Sequence, residues 1–417
     1  MHLLTLASAF GALVAATSAQ VVSPRQLIGF GSDPAAVASP AILSQTLCQP
    51  GVRLCPTGVG PATGHAGGAA YNALNASLWH TQGTRMAEIR LDGCQLICSV
   101  AANLTLGPGS VATGLEICEA RYQMLQLESV PGAAALSYFH LRSCPPQVTA
   151  TCRFALPSVR HIAGAVALDE AHDLVLYATS IFGAAVPANT LLVARAGSPC
   201  DIVCRAPLDN CGLTPLGAIT GMTYDACTQL LYVTDGRQTA IFSNRAATSP
   251  CDFVPVGCCP RSPGIAGYTW HGLDLEPAHP RAVGTSCLND RCPDCNTMAL
   301  TAHGDPALGN PAFRIDLTDA PTGGLFQLGI AAGPCTAGFP IFCGRWHTDL
   351  TTLVLLPLVP INGSVRCDGT ASVGLPVPKD YALCGARLCA QGIVVCPPFT
   401  LPPSLGLTNA LDLVLGT

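Results

Sequence analysis

Tyr71-Asn72-Ala73, Ile117-Cys118-Glu119-Ala120, Leu168-Asp169-Glu170-Ala171, Tyr224-Asp225-Ala226 and Leu275-Glu276-Pro277-Ala278 are five versions of one signature, an apolar strand running into a small polar turn. A second strand follows most of them: Leu78-Trp79-His80-Thr81, Leu176-Tyr177-Ala178-Thr179 and Leu231-Tyr232-Val233-Thr234. A cysteine pair closes each of the first four units: Cys94/Cys98, Cys144/Cys152, Cys200/Cys204 and Cys251/Cys258. Strand-rich repeats of about fifty residues are the mark of propeller blades. Asp and Asn suit the turn, because their side chains accept from backbone N–H groups two residues on. Helical periodicity is almost absent.

The repeats occupy residues 61–318, each reading as four short strands; in the fourth unit these are 219–224, 230–234, 239–243 and 253–256. The fifth is irregular, with a weak second strand at 281–284 and the interruption Cys287-x4-Cys292-x2-Cys295. Residues 20–60 form a lead-in whose Cys48 and Cys55 resemble a blade end. Such a segment can lend a strand to the last blade and so remove the edges of the ring. The expected fold is therefore all-β, a five- or six-bladed β-propeller. Residues 322–417 follow with a different rhythm, strands at 325–331, 352–358, 363–366, 371–376, 387–395 and 410–415, and read as a β-sandwich.

Within that last unit, Ala371-Ser372-Val373-Gly374-Leu375-Pro376-Val377-Pro378, Leu383-Cys384-Gly385-Ala386-Arg387-Leu388-Cys389-Ala390-Gln391 and Leu407-Thr408-Asn409-Ala410-Leu411-Asp412-Leu413 follow one another. This series resembles the tail module of many proteins exported by planctomycete-type bacteria. Cys389 stands where those modules carry an aromatic residue, and Cys396 follows, so this copy adds disulfides. The resemblance implies export and a β-sandwich. It implies no activity, and no enzyme family is matched.

The N-terminus reads as a secretion signal over residues 1–19. Leu3 to Ala16 is apolar but too short to span a bilayer, and Thr17-Ser18-Ala19 offers small residues for cleavage before Gln20. The basic residue usual before such a run is missing; His2 stands there. No later stretch has the length and apolarity of a transmembrane helix. Twenty-three cysteines on an exported chain imply an oxidising compartment, extracellular or at the cell surface. Their odd number leaves one outside any internal pairing, with Cys258-Cys259 the point of ambiguity. Tight hairpins hold facing strands within bridging distance, so Cys94–Cys98, Cys144–Cys152, Cys200–Cys204 and Cys251–Cys258 are expected as local disulfides.

Charged residues make up 11% of the chain, and Lys379 is its only lysine. The usual share is about 25%. A net charge of −5 offers no basic face to nucleic acid. Cys287, Cys292 and Cys295 with His303 could be spaced for zinc, but disulfides are the default for an exported chain. Asp169, Asp225, Asp274 and Glu276 recur at similar places in the repeats, where capping of the turn accounts for them better than calcium. His80, His161, His172, His271, His279, His303 and His347 form no motif. Gly-x-Ser-x-Gly, His-Glu-x-x-His and the Gly-rich phosphate and dinucleotide loops are all missing. No catalytic residue, metal ligand or cofactor is therefore assigned. The reading is a secreted binding or scaffold protein, its partner a surface molecule, a glycan or its own copies. A metal-dependent hydrolase or lyase in the propeller channel and a filament or coat subunit are the alternatives.

Overall fold

The computed structural model describes residues 26–32, 40–46, 52–55, 67–118, 121–141, 143–181, 183, 188–208, 210–211, 214–244, 249–259, 269–276, 279–289, 292, 295, 297–397 and 404–416. Apart from short 3-10 turns, one of them Tyr381–Leu383, the regular structure of the described residues is strand. It divides into two units after Glu276, with Ala73–Asn75 grouped in the second.

Five four-stranded antiparallel sheets build the first unit. Blade 1 is Ala69–Asn72, Ser77–Gln82, Arg85–Arg90 and Gln95–Ala101. Blade 2 is Val111–Cys118, Gln123–Val130, Ala133–His140 and Gln147–Ala155. Blade 3 is His161–Asp169, Leu174–Ile181, Asn189–Arg195 and Ser198–Pro207. Blade 4 is Gly221–Asp225, Leu230–Thr234, Thr239–Ser243 and Val254–Cys259. Blade 5 takes its inner strand, Thr269–Glu276, from the end of the unit and its other three, Gln26–Ser32, Pro40–Thr46 and Val52–Cys55, from the lead-in. The lead-in thus supplies three strands, with Leu27 opposite Leu275 and Ile28 opposite Asp274. Each inner strand packs against the inner strand of the next blade, and blade 5 against blade 1. The ring is closed at five.

Burial explains the strand sequences. Leu174–Ile181 is almost continuously buried, because neighbouring blades cover both of its faces. The outer strand Gln147–Ala155 is mostly exposed. In every blade the register slips where the third strand meets this outer one: at Ile42/Leu43, Glu88/Ile89, Tyr138/Phe139, Val193/Ala194 and Ile241/Phe242. Such bulges twist an edge away from further pairing.

The second unit has two main sheets. In the larger, Arg281–Val283 and Cys287–Leu288 pair with Ser404–Val414, which continues to Arg387–Cys396, Leu325–Ala332 and the short Val354–Leu355 and Val359–Pro360. The smaller is Ala299–His303, Arg314–Ala320 and Gly369–Gly374. Three expectations need correction. The division falls after Glu276 rather than near Asp319. Arg281–Val283 belongs to the second unit, because the place beside Thr269–Glu276 is filled by Gln26–Ser32, whose Leu27, Ile28 and Phe30 are buried where Arg281 and Ala282 are exposed. Residues 363–366 are a turn: Ser364 and Val365 donate their N–H groups to Asp368.

Candidate ligand site between two blades

The bridge-forming cysteines do not pair locally. Cys55–Cys94, Cys98–Cys144, Cys152–Cys200 and Cys204–Cys251 are the disulfides, with Cα separations of 5.5, 5.9, 6.0 and 6.1 Å. Each joins one blade to the next: the first cysteine of a pair reaches back and the second forward. Cys258 is disulfide-bonded as well. None of the expected Cys94–Cys98, Cys144–Cys152, Cys200–Cys204 and Cys251–Cys258 bridges forms. Cys200 and Cys204 share the strand Ser198–Pro207. Four residues of strand separate Cα atoms by about 13 Å, and a bridge spans no more than about 7 Å.

In the second unit Cys287, Cys292 and Cys295 are bridged to Cys343, Cys396 and Cys367, and Cys335 to Cys389. Cys118 is a buried thiol at the second turn signature, whereas Cys258 and Cys259 are both in disulfides.

The recurrent acids divide into two roles. Asp169 Oδ1 accepts the N–H groups of Ala171 and His172, and Asp225 Oδ1 those of Cys227 and Thr228, so both cap turns. Asp274 lies two residues before its turn and joins three blades. It accepts the Tyr71 N–H at 2.5 Å, the Thr223 hydroxyl at 2.8 Å and the Leu275 N–H at 2.7 Å. Burial raises its carboxyl above the usual range, although the N–H bonds from Tyr71 and Leu275 oppose this. Glu116 holds the equivalent place in blade 2 and accepts the Leu168 N–H of blade 3. The Glu276 side chain lies outside the described part of the structure. Among the described residues, no three His, Cys, Asp or Glu side chains are grouped for a metal.

The inner strands meet at a layer of small residues that sequence reading missed. Gly68, Gly114, Ala165, Gly221 and Gly272 each stand four residues before a turn position. A Cβ on Gly68 would come 2.1 Å from the Leu115 nitrogen, and one on Gly272 2.3 Å from the Ala69 nitrogen. The motif Gly-x3-turn was present in the sequence as Gly68-Ala-Ala-Tyr-Asn72, Gly114-Leu-Glu-Ile-Cys118, Gly221-Met-Thr-Tyr-Asp225 and Gly272-Leu-Asp-Leu-Glu276.

The histidines are dispersed. His80 is buried, stacked on Phe30 at 4.3 Å, and neither of its ring nitrogens has a hydrogen-bond partner among the described residues. Burial lowers its pKa to about 4. His161 meets the Ser158 hydroxyl, His279 meets Asp305 and His347 meets the Thr336 carbonyl.

His172 is different, because it opens onto a cavity. A cleft of about 290 Å³ between blades 3 and 4 is lined by His172, Leu174, Arg195, Val203, Asn244, Ser249 and Pro250. Asp169, fully buried, lies 2.8 Å from His172 Nδ1, so Nε2 is the nitrogen left for the cleft. Asn244 Oδ1 accepts the Tyr224 hydroxyl at 3.0 Å, which leaves its NH2 group as a donor. Burial first, and then the Asp169 charge, raise the Tyr224 hydroxyl well above its usual pKa and keep it protonated. Val203 and Pro250 adjoin the two cysteines of the Cys204–Cys251 bridge, so the disulfide fixes one wall. None of the described residues lining the cleft is a carboxylate.

No protein family and no curated protein matches the sequence. Solved structures that resemble the chain include the nidogen/laminin complex, with 13% identity over 60% of this chain and 85% of that one and a TM-score of 0.35. The β-propeller domain of Myceliophteria thermophila Cps50 (Swd1) shows 12% identity over 58% and 73%, with a TM-score of 0.33. A protein from Lactobacillus plantarum shows 11% identity over 94% and 97%, with a TM-score of 0.33.

Proposed function

We propose that this chain is an exported, disulfide-rich, non-catalytic binding or scaffold protein, acting outside the cytoplasm at the cell surface or in the extracellular space. The observation that carries the reading is the series of bridges from blade to blade, which needs an oxidising compartment to form. No helix among the described residues is long and apolar enough to cross a membrane. The resemblance of residues 371–413 to exported tail modules supports the same placement. The axial carboxylates Asp274 and Glu116 are occupied in bonds between blades, which favours a structural axis over a reaction channel. Fractionation of the native cells tests the proposal. Mature protein beginning near Gln20, labelled by a membrane-impermeant reagent on intact cells or recovered from the medium, is expected. Full-length protein with reduced cysteines in the cytoplasm would contradict it.

A further inference from the structure

The cleft between blades 3 and 4 carries a chemical specification. Four groups that can donate hydrogen bonds line it: Arg195, His172, the Asn244 amide and the Ser249 hydroxyl. Three acids near the cleft are engaged elsewhere. Asp169 is behind His172 and caps its turn. Asp173 pairs with Arg121 at 3.3 Å. Asp252 accepts the Ser249 N–H. Arg195 has no ion-pair partner among the described residues. A guanidinium presents a planar fork of donors that matches a carboxylate, and hydrogen bonds to a charged partner are about twice as strong as neutral ones. Leu174 and Pro250 add apolar surface, and Asn244 and Ser249 add neutral donors suited to hydroxyl oxygens. The volume lies at the low end for small-molecule pockets and suits a ligand of about one ring.

We propose that this cleft binds the carboxylate of a small hydroxylated ring, that is, a sugar acid. Arg195 pairs with the carboxylate, His172 Nε2 and the Asn244 NH2 group hold ring oxygens, and Asp169 is a positioning residue that fixes the imidazole. The inference rests on the extracellular binding reading and names the ligand class for it. The source is either a free sugar acid or an acidic residue within a glycan.

The test is titration of the oxidised full-length protein with glucuronate, with glucose as the neutral counterpart and a glucuronate-containing oligosaccharide as a third arm, followed by NMR. Saturable binding of glucuronate, about tenfold tighter than glucose, is expected. Arg195→Ala should remove that preference, while the disulfide map and thermal midpoint stay as in the wild type. Asn244→Asp, which places a carboxylate in the cleft, should weaken glucuronate more than glucose and guards against misfolding of a single variant. Tighter binding of the oligosaccharide would assign the site to a glycan, and tighter binding of the monosaccharide to a free acid. Equal affinity for glucose and glucuronate, an Arg195→Ala variant that still discriminates, or no binding by correctly bridged protein would overturn the inference while leaving the extracellular reading in place. Turnover of a glucuronide would uphold the site and overturn the non-catalytic reading.

Discussion

Single residues set the tolerances of this propeller. The approach of Gly272 to the Ala69 nitrogen leaves no room for a side chain. Gly272→Ala is therefore expected to cost about 3 kcal/mol or more, because backbone rather than a movable side chain must yield. Denaturant unfolding measures it, and a change below about 1 kcal/mol would refute the packed axis. His80 makes a second prediction. Its folded pKa of about 4 lies below the usual 6.5, so the folded protein binds fewer protons than the unfolded chain between those values. Stability should fall as pH drops through this window, by up to about 3 kcal/mol for a fully buried group. Asp274 acts in the opposite sense: with its carboxyl raised, its contribution is greatest in acid and is lost as pH rises through the raised value. His80→Phe, which keeps a ring against Phe30, should gain stability in acid relative to the wild type. Equal acid sensitivity of the two proteins would remove His80 as the cause.

At the level of elements, the strands and turns were legible in the sequence and their partners often were not. The turn acids Asp169 and Asp225 cap turns as their position implied. Asp274, two residues earlier in its repeat, bonds across three blades, since the destination of a side chain depends on which strand the ring brings opposite. The cysteine pairs showed where the outer strands lie, yet spacing along one strand says nothing about the neighbouring blade. The cleft was invisible for the same reason, because His172 and Arg195 come from one blade and Asn244 and Ser249 from another. Gln391 donates to the Arg345 and Thr408 carbonyls and accepts the His347 N–H. Asn409 accepts the Leu300 N–H and donates to its carbonyl, pairing like a strand across the two sheets. These are the polar residues of the tail series, and buried partners explain their place in it. Asn409→Ala should cost about 2–4 kcal/mol, since it strands two backbone groups of Leu300. A stability loss no larger than that of an exposed substitution would show that the second unit is fastened otherwise.

For the whole molecule, the disulfides do more than local hairpin bridges would. The four bridges close segments with sequence separations of 39, 46, 48 and 47 residues. Loops of that size each constrain the unfolded chain by about 4 kcal/mol in the chain-entropy description. Replacing Cys98 and Cys144 together by Ser should therefore lower the unfolding free energy by about that amount while the remaining bridges still form. The bridges also tie the three lead-in strands of blade 5 to blade 1 through Cys55–Cys94, which resists opening of the ring where chain ends meet. This account stands on one arrangement, a five-bladed ring whose blades are bridged each to the next. Mass spectrometry of non-reduced proteolytic peptides tests it most directly. The account predicts linked peptides for Cys98–Cys144, Cys152–Cys200 and Cys204–Cys251; recovery of Cys94–Cys98, Cys144–Cys152 and Cys200–Cys204 as bridges within single blades would contradict it.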